Sequence, residues 1–216
     1  MHLSVVYLII GFLVAITVHE ASHAWMADRL GDPTARAMGR LTLNPLAHLD
    51  IYGTVLIPLL LIFLGSPIVV GWAKPVEYDP YNLANPKRDA ALISLAGPAS
   101  NLIIATLSAI FLRLSLAPFS SAIALSGLFY ALILVNVGLA IFNLIPVHPL
   151  DGGKILIGLL PKKEAYELDI FLRRYGLILL LFLLFPIFGG NSLISIVIYP
   201  VINVILRLFI PGNPII

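Results

Sequence analysis

The 216-residue chain contains no cysteine, and charged residues make up only 11% of it. Without thiols there is no disulfide, no thiol nucleophile and no sulfur-rich metal site, so any metal must be held by nitrogen and oxygen. A soluble domain has nearer a quarter of its residues charged; here 60% are hydrophobic and the mean hydropathy is +1.02, which excludes a water-soluble globule. The net charge of +2 is small and dispersed. No stretch gathers enough Lys and Arg to neutralise a row of phosphates, so a nucleic-acid partner is excluded. An internal repeat and a long linker are also lacking, and the first apolar run has neither a basic leader nor a small-residue cleavage site, so it is expected to stay in the mature protein. The 16 Gly and 16 Pro are scattered through apolar runs without a period, unlike collagen or a low-complexity segment. What remains is an all-α polytopic membrane protein, expected as a single domain over 1–216.

A bilayer core of about 30 Å needs roughly 20 apolar residues as a helix. The uncharged run 3–18 continues as helix to about Leu30, where Gly31, Asp32 and Pro33 stop it. The run 51–73 is also uncharged, but Gly53, Pro58, Gly65, Pro67 and Gly71 interrupt it. Clean spans follow at 90–112 and 121–145. Residues 161–174 mix charged and apolar residues as an interfacial helix would. The last uncharged stretch is broken at Pro186, Gly189, Gly190 and Pro200 and reads as a helical hairpin over about 176–210. Five or six membrane segments are predicted, with a core over about 1–160. Trp25, Trp72 and Tyr199 suit anchoring at the membrane interface.

The chemistry starts at HEASH, residues 19–23. His19 and His23 are spaced i, i+4, so on a helix both imidazoles lie on one face and reach a single ion. Glu20 stands where a carboxylate meets the water of a metallohydrolase site and serves as general base. A catalytic zinc needs a third protein ligand, and Asp151, His148 and His48 are candidates, with His2 at the terminus less suited. Asp151 is favoured, because Pro149 before it and Gly152 and Gly153 after it would present its carboxylate at a helix break; it would equally suit a helix N-cap. Asn101 offers a contact to an oxyanion or a helix-packing hydrogen bond. His148 suits a supporting position or a solvated loop, and His48 suits stabilisation of a turn.

Three motifs in this order, HEASH, then GPASN at 97–101, then NLIPVHPLDGG at 143–153, resemble the signature set of the site-2 protease family of intramembrane zinc metalloproteases. The resemblance covers about residues 10–160. It implies zinc held by His19, His23 and Asp151, Glu20 as the catalytic base, and Asn143 near the substrate or the helix break. The chain shows no PDZ or CBS module, and GRLTLNPLAHLD and GWAKPVEYDP resemble motifs of the compact prokaryotic members. The function so implied is zinc-dependent hydrolysis of a peptide bond in or near a transmembrane segment of a substrate protein. A metal-ion transporter is the alternative, since intramembrane His and Asp also mark ion pathways.

Bringing His19, His23 and Asp151 to one depth makes 51–73 a re-entrant hairpin. The positive-inside rule then places the metal side in the cytoplasm, and the resemblance to the compact prokaryotic members implies a prokaryotic cell membrane. Leu41, Thr42 and Leu43 alternate, so residues 39–43 read either as an edge strand beside the zinc that captures substrate by strand addition or as a surface hairpin that merely connects the first helix to the re-entrant segment.

Overall fold

The computed structural model describes residues 4–63, 71–117, 121–188 and 191–210. Helix α1, Val5–Arg29, begins where the Ser4 hydroxyl accepts from the Val6 amide. It ends where Gly31 takes a φ of +104°, a left-handed conformation that suits glycine. Asp32, wholly buried behind this turn, accepts from Thr34 N and Oγ1, Asp79 N and Asn82 Nδ2 at 2.6–3.1 Å. Burial opposes its charge, but these donors outweigh it and hold the carboxyl below the usual range. They also tie the end of α1 to the loop at 79–82. After the short α2, Thr34–Ala37, an irregular stretch leads to a π-helical turn at Ile51–Leu56 and then α3, Ile57–Phe63.

Helix α4, Pro86–Ser115, has proline at its first position, where the missing N–H has no helical partner to lose. It runs unbroken through the buried Pro98. Helix α5, Ser126–Asn143, is entered through a 3-10 turn at Ser121–Leu125. Then come α6, Asp151–Leu159, α7, Lys162–Leu184, a short antiparallel pair of β1, Pro186–Phe188, and β2, Asn191–Ser192, and finally α8, Leu193–Phe209.

Helices α1, α4 and α5 form the bundle. Their contact faces carry small residues: Ala15, Ala24, Ala27, Ala105, Ala131 and Ala140 are buried, and a Cβ on Gly11 would come within 3.3 Å of the Ala131 carbonyl oxygen. Lipid tails are as apolar as leucine, so helices in a bilayer gain by packing closely through small residues, not by hiding large ones. The large ones face outward, as Ile103 at 59% and Leu114 at 60% exposure illustrate. Helix α8 lies against α4 and α5, with Leu206 and Ile210 joining Ala109, Leu112, Ile133 and Val137 in one apolar cluster.

Several expectations need correction. Among the described residues three helices are long and apolar enough to cross a membrane, Val5–Arg29, Pro86–Ser115 and Ala122–Asn143, and they do not by themselves establish the five or six predicted membrane segments. Helix α3 is described as far as Phe63, where the described residues stop; α8 has 17 residues, about 26 Å at the helical rise and short of a full core. The helices on either side of Pro186 are α7, which ends at Leu184, and α8, which starts at Leu193, but the first arm does not begin at Gly176: that residue lies inside α7, pressed against the backbone of His148, where a Cβ would come within 2.6 Å of its carbonyl oxygen. Its glycine is used for close approach. Of the 51–73 segment, 64–70 lie outside the described residues; its two ends meet, with Trp72 N donating to Gly53 O at 3.1 Å and Thr54 Oγ1 to Trp72 O at 2.7 Å.

The predicted strand at 39–43 is not formed. Gly39 has a φ of +69° and Thr42 N donates to Arg40 O at 2.9 Å, folding the stretch into a turn. The physical reason lies in two buried side chains: Arg40 donates to the Ala47 carbonyl, and His48 Nε2 contacts the Thr42 carbonyl at 2.9 Å. They gather 40–48 into a compact loop, and its residues 41–43 line a cavity together with Val18, Ser22 and Trp25 of α1. The only β pairing among the described residues is the β1–β2 pair beyond α7.

Candidate metal centre

Four elements meet at one point. Helix α1 supplies His19, Glu20 and His23, all buried. The loop after α5 turns back so that α6 starts at Asp151, whose carboxylate makes no capping bond to its own helix. Asp151 Oδ2 lies 3.1 Å from His19 Nε2 and 3.3 Å from His23 Nε2. Gly97 of α4 lets the imidazoles pass: a Cβ there would stand 2.6 Å from His19 Cε1 and from His23 Cε1 and Nε2.

The outer nitrogens decide what the inner ones offer. His23 Nδ1 is 2.7 Å from Ile93 O, and a carbonyl only accepts, so the proton sits on Nδ1 and Nε2 keeps a lone pair. The tautomer of His19 is set through two amides. Asn136 Nδ2 donates to Leu132 O at 2.8 Å, which leaves its Oδ1 to accept from Asn101 Nδ2 at 2.8 Å. Asn101 Nδ2 also donates to Ala15 O at 3.0 Å. Asn101 Oδ1 is therefore the atom facing His19 Nδ1 at 2.6 Å, and it accepts. The amide orientations follow from their partners, and they assign His19 the same tautomer as His23.

Two imidazole lone pairs and a carboxylate oxygen thus converge, all within 4.8 Å of one another. Acceptors cannot satisfy acceptors, and Asp151 Oδ2 is a buried atom without a hydrogen-bond donor. A site of two nitrogens and one carboxylate oxygen, with one side open to a cavity, fits a catalytic zinc ion. That cavity encloses about 340 Å³ and is lined by Glu20, Trp72, Val76 and Asn143 as well as the three candidate ligands. Glu20 Oε2 accepts from Val76 N at 3.3 Å.

Each remaining candidate has a definite place. Asn143 faces the cavity while its Nδ2 donates to Leu139 O at 3.0 Å. Asn101 stands behind His19, away from the open side, and not before it as an oxyanion contact would require. His148 lies outside the ligand group and pairs with Asp169 at 3.4 Å; burial holds its imidazole below the ordinary value in spite of that carboxylate. His48 is wholly buried and holds a loop, and His2 is outside the described residues.

Asn136 is a functional residue that the motifs do not single out, although an amide in the middle of an apolar span is costly unless paired and is itself a signal. Replacing it with Leu removes one acceptor from the Asn101 amide and frees it to turn. Asn136→Leu is expected to weaken zinc binding by roughly tenfold to a hundredfold, the usual scale for groups that orient a ligand. Competition with a chromophoric chelator measures it; unchanged affinity would remove Asn136 from the site.

The chain is 38% identical over 214 residues to YwhC of Bacillus subtilis, which carries the name of a zinc metalloprotease, with 94% of this chain and 90% of that protein covered. It is 33% identical over 147 residues to Rip2 of Mycobacterium tuberculosis, also named as a zinc metalloprotease, covering 68% of this chain but 54% of Rip2. The zinc metalloprotease MJ0392 of Methanocaldococcus jannaschii is 40% identical over 81 residues, 38% of this chain and 23% of its own. No solved structure matches significantly. The sequence profile of peptidase family M50 matches residues 7–122 and 117–183, nearly all of the bundle and every residue of the metal centre, and the chain belongs to that family.

Proposed function

We propose that the protein is a zinc-dependent intramembrane endopeptidase that cuts a peptide bond within or beside a transmembrane segment of another membrane protein. The observation that carries this is the convergence of His19 Nε2, His23 Nε2 and Asp151 Oδ2 with no proton left for them to share. His19, His23 and Asp151 would hold the ion, which when bound supplies a Lewis acid that polarises the scissile carbonyl and acidifies water. Glu20, on the same cavity wall, takes the proton from the attacking water and returns it to the leaving nitrogen. Asn143 faces the cavity and is placed to meet the substrate backbone. The extended segment 71–79 passes over the cavity and is anchored on Glu20 through Val76 N. No observation favours a metal transporter: the donors cluster at one point and are not strung along a path. The direct test is metal analysis with reconstituted cleavage. One zinc per chain is expected, and cleavage of a membrane substrate lost on chelation and restored by zinc; cleavage indifferent to chelation would refute the reading.

The same proposal places the metal side in the cytoplasm of a prokaryotic cell. Meeting of Gly53 and Trp72 supports a re-entrant course for 51–73, since the chain leaves and returns at one place. Arg113 Nη2 donates to Leu208 O at 3.0 Å, which supports placing the end of α8 beside the end of α4, away from the metal. Of the thirteen Lys and Arg, eleven then lie on the metal side and only Arg113 and Arg207 opposite. Because the chain has no cysteine, single substitutions test this cleanly. Asn82→Cys should label from the cytoplasm and Ala117→Cys from outside; labelling of both from one side would overturn the topology.

A further inference from the structure

A second cavity, about 700 Å³, adjoins the catalytic one between the start of α4, α6, the first half of α7 and the segment 75–80. Pro75, Tyr78, Pro149 and Lys154 line both, so the two spaces share a wall. Its charge is one-sided. Lys87, Lys154, Lys162 and Arg173 face it, against Asp169 as the single acid. Asp169 is already engaged, accepting from Arg173 Nε at 2.8 Å and lying 3.4 Å from His148. Lys87 donates to the Leu160 carbonyl, and Lys154 Nζ stands 5.2 Å over the Tyr78 ring. Neither contact cancels a charge, because a carbonyl and an aromatic ring are neutral overall. Four cations against one carboxylate leave an uncompensated positive potential in a concave space, where it is strongest.

A substrate chain leaving the catalytic cavity toward water passes Tyr78 and Lys154 into this space. Segments beside a membrane span on the cytoplasmic side usually carry an excess of Lys and Arg. A basic cleft in that position repels the ordinary membrane protein and admits the minority with Asp or Glu next to the span, a selection by repulsion as much as by attraction. Adjacency to the catalytic cavity favours a peptide over a lipid headgroup, although both offer negative charge. We infer that this cavity is a specificity subsite that receives an acidic segment flanking the substrate's transmembrane helix. The inference rests on the endopeptidase reading and on the cytoplasmic placement of the metal side.

The test measures binding, not cleavage, with the zinc-loaded Glu20→Gln protein in phosphatidylcholine nanodiscs. The probes are fluorescent leucine-rich transmembrane peptides that differ only in flank: Asp-Glu-Asp, Ser-Ser-Ser or Lys-Lys-Lys. The acidic flank should bind roughly fivefold to tenfold more tightly than the basic one, the scale of one or two partly screened charge pairs, and the ratio should shrink in high salt. Adding Lys162→Glu with Arg173→Glu should reverse the order. The milder Lys162→Gln with Arg173→Gln should level it, so the role of these two cations can still be measured if the charge reversal misfolds. Binding independent of flank overturns the inference alone, as does a preference that survives both substitutions. Flank-independent binding together with retention of added phosphatidylglycerol by the unreversed protein only would give the cavity to a lipid headgroup and overturn it as well. Failure of every peptide to bind, whatever its flank, would sink the endopeptidase reading along with it.

Discussion

Glu20→Gln is expected to keep one zinc bound per chain and to lower proteolysis by about 10²–10⁴-fold, the range that a positioned general base contributes. The substitution is unusually clean here. Glu20 does two things: it faces the cavity with a proton-accepting carboxylate, and its Oε2 accepts a hydrogen bond from Val76 N. Glutamine retains a carbonyl oxygen for Val76, so the segment over the cavity stays anchored, while its amide cannot take a proton. The three candidate ligands are other side chains, and their Nδ1 partners on α4 are untouched. Metal analysis and cleavage of a fluorogenic transmembrane peptide, measured on the same preparation, separate the two roles. A variant with zinc bound and the normal cleavage rate would show that the base is elsewhere.

The second large effect is expected at Gly97. Gly97→Ala puts a methyl group 2.6 Å from His19 and His23, closer than real side chains approach, so something must move. The imidazoles are not loose ends that swing aside, because each is pinned from behind, His19 by Asn101 and His23 by Ile93 O. Moving either ring breaks a hydrogen bond in an apolar interior and displaces an Nε2 from its place opposite Asp151. Zinc affinity should fall by more than about a hundredfold, beyond the usual loss from a supporting contact, and cleavage should fall with it. Gly138→Ala on α5 is the control, since nothing lies within 4 Å of the position its Cβ would take; it should bind zinc normally. Equal zinc affinity in Gly97→Ala would mean that the two histidines do not hold the ion in this geometry.

Much of the centre was legible because helical periodicity is a local property. HEASH places two imidazoles and a carboxylate on adjacent faces of one helix whatever surrounds it, and the break around Pro149 and Gly152 marks where a distant carboxylate could be offered. The spans of α1, α4 and α5 were legible for a similar reason, since the bilayer imposes a minimum apolar length on each. Residues 39–43 show where local pattern fails: their alternation suits a strand, but the buried Arg40 and His48 draw the backbone into a turn, and side-chain satisfaction outweighs propensity. Gly176 shows the same limit in another form. Charge content divides the chain after Arg174, yet α7 runs through that boundary to Leu184, and at Gly176 it presses against the His148 backbone.

The amino-acid sequence by itself determined a membrane protein, the helical pair His19 and His23 with Glu20 between them, and an Asp151 available at a break. It also determined, through the absence of cysteine, that the donors must be nitrogen and oxygen. Only the tertiary structure decided that Asp151 Oδ2 meets both Nε2 atoms, that Asn136 and Asn101 set the tautomer of His19, and that Gly97 leaves room for the rings. It alone set the basic cavity beside the catalytic one. The physical reason is range: periodicity and apolar length act over a few turns of one helix, whereas these contacts bring together residues 35 to more than 100 positions apart, which only helix packing makes neighbours.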